Sequence, residues 1–259
     1  MNRELRLERD GPVLIATIDR ADKMNALGAQ LHAELSEAWA SVKQDSSIRA
    51  IVITADGERS FCTGMDLREL AERGEHRKTS DNVHEAMRIT PLNCDVWVPT
   101  VVAVNGVCAA AGLHFVADAD VVVASTNAWF VDTHVTVGQV SAIEPITLVP
   151  RIGLGNALRL ALLGRAGRIN VDDALRISLV DEIASPETLL ERSVELAQAL
   201  ATGSPAAAEA SKRAIRGVLE RPMAEAMQYG WDLLLKHRDH PDCVEGPLAF
   251  SEKRPPQWQ

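Results

Sequence analysis

Residues 99–125, PTVVAVNGVCAAAGLHFVADADVVVAS, limit the possible folds more than any other stretch of the chain. The β-branched run at 101–104 is typical of a buried strand, and Asn105-Gly106 ends it. Small residues at 108–112 then lead into a predicted helix, and a second buried run follows at 121–123. The first N–H groups of a helix have no intrahelical partner and lie at the positive end of its dipole. The stretch therefore predicts a strand-to-helix junction that is able to hold an oxyanion.

Composition excludes several classes of protein. The chain has 259 residues, 46% apolar and 24% charged, which is typical of a globular enzyme with a sizeable core. Its formal charge of −9 argues against nucleic acid as a partner, although a local basic patch for a phosphorylated ligand remains compatible with it. No uninterrupted apolar run reaches the roughly 18 residues that span a bilayer, so we expect no membrane partner.

The N-terminus and the cysteines indicate a compartment. The first residues, MNRELRLERDG, are charged and lack the apolar core of a signal peptide. The four cysteines (Cys62, Cys94, Cys108 and Cys243) show no metal-binding spacing. We therefore expect reduced thiols, no metal site and a cytoplasmic location.

The order of predicted elements indicates an α/β protein. Residues 4–9 and 13–19 alternate around Asp10-Gly11 and predict a hairpin. The apolar spacing of Leu31, Leu35, Ala38 and Val42 predicts an amphipathic helix. A buried strand at 49–54 and a second strand-to-helix junction at 61–67 follow.

The second half of the chain is predicted to become helical. A polar segment at 73–80, expected to be mobile or ordered by a ligand, precedes a predicted helix at 82–95. After a short strand at 128–131, the helices are predicted at 141–149, 153–163, from 171 to about 178, 186–201, 204–219 and 222–237. The βαβ alternation up to about residue 150, followed by helices, predicts an α/β core and a helical C-terminal part, for which we expect residues 1–200 and 201–259.

Four motifs in the same order resemble those of the crotonase superfamily, the enoyl-CoA hydratase/isomerase group. Asn25-Ala26-Leu27 resembles its NAL loop, and residues 61–67 (FCTGMDL) resemble its F-C-x-G-x-D-L junction. Residues 99–125 are similar to its long glycine-containing signature, and residues 252–254 (EKR) match its terminal motif. The resemblance covers essentially the whole chain.

This resemblance implies a fold, an assembly and a substrate. The fold would be a spiral of ββα turns followed by a helical C-terminal region for trimerisation and for covering the site. Trimers, usually paired into hexamers, would bind an acyl-CoA thioester, with coenzyme A entering as part of the substrate and no separate cofactor. The apolar residues Trp231, Leu233, Leu234 and Leu235 fit burial against a partner subunit, although packing within one chain explains them too.

The resemblance also implies an oxyanion hole. The backbone N–H groups of Met65 and Ala111 would hold the thioester oxygen as it becomes enolate-like. The family usually has glycine where this chain has Ala111. If that residue requires a positive φ, alanine costs about 1–2 kcal/mol there.

Histidines stand where the hydratases of this group carry two glutamates. The first position is His114 and the second is His134, so both glutamates are missing while the spacing of 20 residues is kept (134 − 114). Imidazole titrates near neutral pH and serves as either acid or base. The alternative is that each histidine only fills a polar pocket.

Two carboxylates are further candidates for proton transfer. Asp132 lies two residues before His134 and could orient its ring or face the cavity. Glu144 lies among apolar neighbours, so burial would demand a partner, for which His114 and His134 are the candidates. The alternative for Glu144 is a solvated acid at a helix start beside Pro145. Asp118 and Asp120 are interpreted as structural.

The coenzyme A site is predicted from the resemblance to be mostly main chain. Its expected lining residues are Ala26, Leu27, Thr63, Asp66 and Leu67. Lys23 and Lys253 are candidates for the phosphates, the latter reaching in from a neighbouring subunit. Arg20 is a further candidate, for which a solvated surface position is favoured.

Three functions remain open at this point. The first is an enzyme of the enoyl-CoA hydratase/isomerase type with His114, His134, Glu144 and Asp132 as its acid/base groups. The second is an acyl-CoA-binding protein without catalysis, because the known glutamate pair is missing. The third is hydrolysis of the thioester or cleavage of a C–C bond by an imidazole base that activates water. Residues 68–95 and the C-terminal helices are expected to shape the acyl pocket, and neither identifies the acyl group.

Overall fold

Two β-sheets organise the protein, and successive strand pairs contribute one strand to each sheet. The computed structural model describes residues 3–72 and 82–259. Among these, the strands are β1 (Leu5–Asp10), β2 (Val13–Ile18), β3 (Ala50–Ala55), β4 (Ser60–Cys62), β5 (Thr100–Val104), β6 (Val107–Ala109), β7 (Val121–Ser125), β8 (Trp129–Val131), β9 (Ile169–Asn170) and β10 (Glu182–Ala184).

The sheet orders are β1-β2-β3-β5-β7-β10 and β4-β6-β8-β9. Strand β1 pairs with β2, and β9 with β8, in antiparallel fashion, whereas the remaining pairs are parallel. The pairs β3–β4, β5–β6 and β7–β8 each cross from the larger sheet to the smaller one. This is the spiral architecture that the sequence predicted.

Helices connect the strand pairs and form the C-terminal part. Among the described residues they are α1 (Ala29–Val42), α2 (Leu67–Glu72), α3 (Val83–Ala86), α4 (Leu113–Asp118), α5 (Ile143–Leu163), α6 (Val171–Arg176), α7 (Leu189–Leu200), α8 (Pro205–Arg216), α9 (Met223–His237) and α10 (Asp242–Glu252).

The central strands of the larger sheet are buried on both faces, which explains their continuous apolar runs. Ile51, Ile53 and Val102 belong to the main core, together with α1. The alternate residues Val52 and Val101 pack on the other side, in a second cluster that includes residues of α7. Parallel sheets covered on both faces lack the apolar–polar alternation of a half-exposed strand. The strand at 101–104 was therefore recognisable from sequence as a buried one.

A buried ion pair joins the C-terminal helices to the core. Lys212 of α8 donates to the carboxylate of Asp120 at 2.6 Å and to the carbonyl oxygen of Val98 at 3.2 Å. The same carboxylate accepts from the backbone N–H of Thr100, where β5 begins. The contact gives Asp120 a structural role, as expected.

Two expectations about secondary structure differ from the structure, and a third lies outside the described residues. The helix expected at 82–95 is replaced by the four-residue α3 and a 3₁₀ turn at Leu92–Cys94, because Pro91 disfavours helical backbone at the residue before it. Helix α10 was missed because Gly246 and Pro247 interrupt its pattern. The polar segment at 73–80, with its predicted mobility, lies outside the described residues.

Helix α5 is long and largely apolar. By length and composition alone, the helical stretch Ile143–Gly167 is long enough to cross a membrane, and 28% of its most apolar window is buried. The helix changes direction at Gly153, where φ is +76°. One side, including Leu148 and Leu160, packs into the core, whereas Leu154 and Leu162 are exposed. Charged residues such as Arg151 and Arg159 interrupt this helix, so it contains no uninterrupted apolar run of the length that spans a bilayer.

Arg20 is buried, which corrects the expectation that it lies on a solvated surface. It is 3% exposed and forms ion pairs with Glu4 at 2.9 Å, Asp66 at 3.2 Å and Glu69 at 3.9 Å. It also donates to the carbonyl oxygen of Ala26. A cation surrounded by carboxylates and a carbonyl is a structural clamp between the N-terminus and α2.

We expect Arg20→Met to lower the free energy of unfolding by about 3 kcal/mol, because the carboxylates lose their buried counter-charge. Arg6→Ala is the control. Arg6 pairs with Glu8 and Asp19 in a 46% exposed position, and its loss should cost about 0.5 kcal/mol or less. Urea unfolding followed by circular dichroism measures both variants. Equal effects would contradict the buried-clamp interpretation.

Candidate active site

A loop between β2 and α1 forms the first wall of the site. Asn25, fully buried with φ of +53°, accepts a hydrogen bond from the backbone N–H of Arg20. Its amide group donates to the carbonyl oxygens of Asp56 and Ser60. Asparagine tolerates left-handed backbone and offers both donors and an acceptor. It therefore fixes the loop by its side chain rather than by contact with a ligand.

The first strand-to-helix junction is bound to this loop by main-chain hydrogen bonds. The N–H of Leu27 donates to the carbonyl oxygen of Gly64 at 2.8 Å, and the N–H of Asp66 donates to that of Leu27 at 3.0 Å. Met65 lies between these two contacts and pairs with Leu27 as an isolated parallel bridge. The Asp66 carboxylate caps α2 by accepting from the N–H of Glu69.

Glycines bring the two junctions together. Gly64 has φ of +88°, and a Cβ there would lie 2.9 Å from the Cβ of Ala110 and 3.3 Å from the backbone nitrogen of Ala111. A Cβ at Gly112 would lie 2.5 Å from the carbonyl oxygen of Cys62. Both contacts leave no room for a side chain. The segment before Met65 thus lies directly against Ala111, the neighbourhood that the sequence assigned to the oxyanion hole.

The backbone strain falls one residue earlier than anticipated. The residue with positive φ is Ala110, at +48°, whereas Ala111 is absent from the positive-φ residues of the described chain. Ala110 opens the 3₁₀ turn Ala110–Gly112 that leads directly into α4. The suggested cost of about 1–2 kcal/mol for alanine in left-handed backbone applies to Ala110.

The two predicted histidines meet at one carboxylate oxygen. His114, in the first turn of α4, places its Nε2 3.3 Å from Oε1 of Glu144, in the first turn of α5. His134 places its Nε2 3.8 Å from the same oxygen. His114 is 1% and Glu144 7% exposed. The alternative of a solvated Glu144 is therefore wrong, and the expected pairing is confirmed.

The contact of His114 is close but does not form a hydrogen bond. Its Nε2 is buried and, within the described part of the chain, has no hydrogen-bond partner, although Glu144 is within ion-pair distance. A buried polar atom in this state is costly unless a water or a ligand completes it. A bound molecule would therefore supply the missing hydrogen-bond partner of His114 Nε2.

Asp132 lies behind His134. Its Oδ1 accepts from the ring Nδ1 of His134 at 2.7 Å and from the backbone N–H of the same residue at 2.9 Å. Its Oδ2 accepts from the hydroxyl of Ser141 at 2.5 Å. Asp132 is fully buried. The alternative in which it orients the ring of His134 is the one the structure supports.

Both carboxylates are held in their ionised form. Burial acts to raise the pKa of Glu144, but the nearby His114 and His134 imidazoles and a backbone N–H together keep that pKa below its ordinary value. Burial likewise opposes ionisation of Asp132, and hydrogen bonds from His134 and Ser141 lower its pKa overall. Because both values are lowered by folding, the stability that these groups contribute is present at neutral pH and is lost as the pH falls through their folded pKa.

A cleft of about 770 Å³ lies at the first junction and brings most of the predicted coenzyme A residues together. Its lining includes five of them: Lys23, Ala26, Thr63, Asp66 and Leu67.

Two predicted coenzyme A residues are placed elsewhere. Leu27 is fully buried in the core and is not among the described residues that line the cleft, so its part in a mostly main-chain coenzyme A site stays a prediction. Lys253 ends α10 and, among the described residues, is not part of the cleft lining. The described lining of the cleft does not include His114 or His134. The link between the cleft and Ala111 is Met65, which lines the cleft and directly follows Gly64, the glycine that lies against Ala111.

A sequence model of the enoyl-CoA hydratase/isomerase family matches residues 8–259 of this chain. The chain belongs to this family. Among its relatives it is 31% identical over 256 residues to the (E)-benzylidenesuccinyl-CoA hydratase of Thauera aromatica, covering 98% of both proteins. It is 33% identical to the carnitinyl-CoA dehydratase of Escherichia coli over 264 residues, covering 100% of this chain and 99% of the relative.

Solved structures agree with this membership. The fold superposes with a TM-score of 0.89 on an enoyl-CoA hydratase from Mycobacterium tuberculosis H37Rv, at 28% identity and covering 100% of this chain and 99% of the other. It superposes with a TM-score of 0.88 on an enoyl-CoA hydratase/isomerase from Mycobacterium paratuberculosis, at 31% identity, covering 99% and 98%. The crotonase fold predicted from the motifs is confirmed, and the family match supports an acyl-CoA enzyme of the enoyl-CoA hydratase type.

Sequence reasoning missed one residue in this family member's polar cluster. Ser141 donates to Asp132 from nine residues further along the chain, across the loop between β8 and α5. Neither its residue type nor its spacing carries a motif. Only the folded loop reveals the contact.

Proposed function

We propose that the protein is an acyl-CoA enzyme of the hydratase type in which an imidazole–carboxylate–imidazole cluster replaces the glutamate pair. His114 and His134 would exchange protons with the substrate and with water, and Glu144 would lie between them. The observation that carries the proposal is the single Oε1 atom of Glu144 within 3.3 Å and 3.8 Å of the two Nε2 atoms.

The oxyanion hole completes this proposal. Backbone N–H groups of Met65 and Ala111 would bind the thioester oxygen, and the contact of Gly64 with Ala111 supports their proximity. Donors that are fixed before reaction stabilise negative charge as it develops on that oxygen. The thioester then accepts a proton at Cα while water supplies hydroxide to Cβ.

Hydration of an enoyl-CoA requires one base and one acid, and the two imidazoles are proposed for these roles. One base removes a proton from water as its oxygen bonds to Cβ, and one acid delivers a proton to Cα. Neutral imidazole performs the first task and imidazolium the second, and both forms coexist near neutral pH. In the described chain, Nε2 of His114 is buried and has no hydrogen bond. This supports His114 as the group that contacts the reacting atoms.

A second candidate is cleavage by water, because a carboxylate beside an imidazole also suits a general base for attack on a carbonyl. In thioester hydrolysis, water adds to the carbonyl carbon and coenzyme A leaves as a thiol. In C–C cleavage, coenzyme A stays attached to a shortened acyl group. The contact between Glu144 and His114 favours this candidate as much as it favours hydration.

Mass spectrometry on a panel of enoyl-CoA and 3-oxoacyl-CoA thioesters separates these functions. We expect an enoyl-CoA to gain one water with no release of free thiol. Free thiol would establish hydrolysis, and a shortened acyl-CoA would establish C–C cleavage. Tight binding of panel members without any product would overturn catalysis in favour of a binding protein.

Binding of coenzyme A is proposed for the cleft at the first junction. The exposed Lys23 and Arg68 lie on its lining, where they suit phosphate groups. Ala26 and Thr63 offer small side chains beside the main chain of the loop. Lys253 is proposed to contribute from a neighbouring subunit.

Assembly into a trimer or a dimer of trimers is proposed as well. Helix α9 exposes Met227 by 70% and Trp231 by 50%, and Phe250 of α10 is 88% exposed. Large apolar side chains on neighbouring helices are typical of a surface that another subunit covers. Their concentration in the C-terminal part supports the oligomerisation role predicted for it.

A further inference from the structure

The direction of the hydrogen bond between Asp132 and His134 determines which ring nitrogen carries a proton. Asp132 is ionised and therefore offers only acceptors. Its Oδ1 lies 2.7 Å from Nδ1 of His134, so Nδ1 must be the donor. The backbone N–H of His134 donates to the same oxygen at 2.9 Å and holds the carboxylate in place. The proton of a neutral His134 ring therefore resides on Nδ1.

The Nε2 edge of the ring then faces a second hydrogen-bond acceptor, the carboxylate of Glu144. With its one proton on Nδ1, neutral His134 would direct the lone pair of Nε2 toward Oε1 of Glu144, 3.8 Å away. Two acceptors facing each other in a buried site repel. Because Glu144 is held ionised, a second proton on Nε2 of His134 removes this repulsion. Ser141 reinforces this arrangement by donating to the remaining oxygen of Asp132 at 2.5 Å.

We propose that Asp132 and Ser141 are positioning residues that fix the Nδ1 proton of His134, so that the ring keeps a second proton on Nε2, facing the ionised carboxylate of Glu144. The inference rests on the proposed function for the use of that proton, which would be the one delivered to the substrate. Asp132 thus acts through His134 and does not itself meet the substrate.

Carboxylates on two elements act on the His134 ring. Asp132 follows β8, and Glu144 lies on α5; both are within ion-pair distance of the ring. His114 of α4 lies beyond Glu144. Removing the Asp132 charge should therefore make the ring lose its second proton at lower pH, since an adjacent carboxylate favours imidazolium. The alkaline limb of the rate profile would move in the same direction, because the protonated form is the acid.

Asp132→Asn tests the proposal in two ways. In the unliganded protein, ¹⁵N NMR should show wild-type His134 protonated at Nδ1, and the variant should lose its second proton about one pH unit lower or more. With substrate, kcat should fall about tenfold or more while KM changes about twofold or less. Asp132→Glu should restore part of the activity, and Ser141→Ala should give a smaller loss of kcat.

Asp242→Asn is the matched control. Asp242 is also buried, accepts from the hydroxyl of Ser204 at 2.5 Å and lies 3.6 Å from Nδ1 of His240, but it belongs to α10. Its substitution should change stability and leave the titration of His134 and the pH profile unchanged. A wild-type His134 without a proton on Nδ1, or an Asp132→Asn variant that titrates as wild type, would overturn the inference. Failure to convert any acyl-CoA would instead contradict the proposed function, because the NMR measurement needs no substrate.

Discussion

His114→Gln is expected to lower kcat by about 10²- to 10⁴-fold, the range that a general acid or base contributes. The amide is close in size to imidazole but has no titratable nitrogen. It would fill the space of a side chain that is 1% exposed and leave Glu144 without its nearest imidazole, 3.3 Å away. Binding of the substrate should persist, because the coenzyme A cleft is lined by other residues.

Steady-state kinetics and calorimetric titration with a substrate analogue measure the two effects separately. The control is His237→Gln, since this imidazole stacks on His240 in the C-terminal part at a centroid distance of 5.2 Å. We expect the control to retain wild-type kcat. Wild-type turnover by His114→Gln would refute the role of His114 in proton transfer.

Gly64→Ala is expected to lower kcat by about 10²- to 10³-fold, as the loss of an oxyanion-hole donor does. The new Cβ would lie 2.9 Å from the Cβ of Ala110 and 3.3 Å from the nitrogen of Ala111. The two junctions would have to move apart, and the donors of Met65 and Ala111 would no longer converge on one oxygen. The φ of +88° adds strain of about 1–2 kcal/mol.

Gly57→Ala separates the strain from the loss of the oxyanion hole. Gly57 has a similar φ of +78°, and a Cβ there meets Ala21 at an ordinary 3.4 Å. This variant should lose comparable stability in thermal unfolding and keep its kcat. If both variants had the same kcat, the contact at Gly64 would have no part in the reaction.

Turn residues and apolar spacing in the sequence were sufficient to predict the elements that depend on short-range interactions. The Asp10-Gly11 hairpin and the amphipathic helix around Leu35 follow from turn chemistry and apolar spacing. The spiral connection between the two sheets came from the motifs, since no local signal states which strands pair. Helix α10 was missed because local propensity opposes it and only tertiary packing supports it.

The sequence named the residues of the His114–His134–Glu144 cluster as partners, but it did not predict the geometry of the cluster. The sequence named these partners because a buried acid requires a counter-charge. It could not show that both imidazoles approach the same oxygen, since α4, α5 and the loop after β8 are brought together only by folding. Arg20 shows the opposite case: a charge expected in solvent is buried because carboxylates distant in sequence surround it.

A crystal structure with a bound, slowly reacting acyl-CoA analogue tests the central claim most directly. We expect the thioester oxygen to lie about 3 Å from the backbone nitrogens of Met65 and Ala111. We also expect Nε2 of His114 to face Cα, Cβ or a water molecule beside them. A thioester bound away from these nitrogens, with the histidine cluster closed off from the acyl chain, would contradict it.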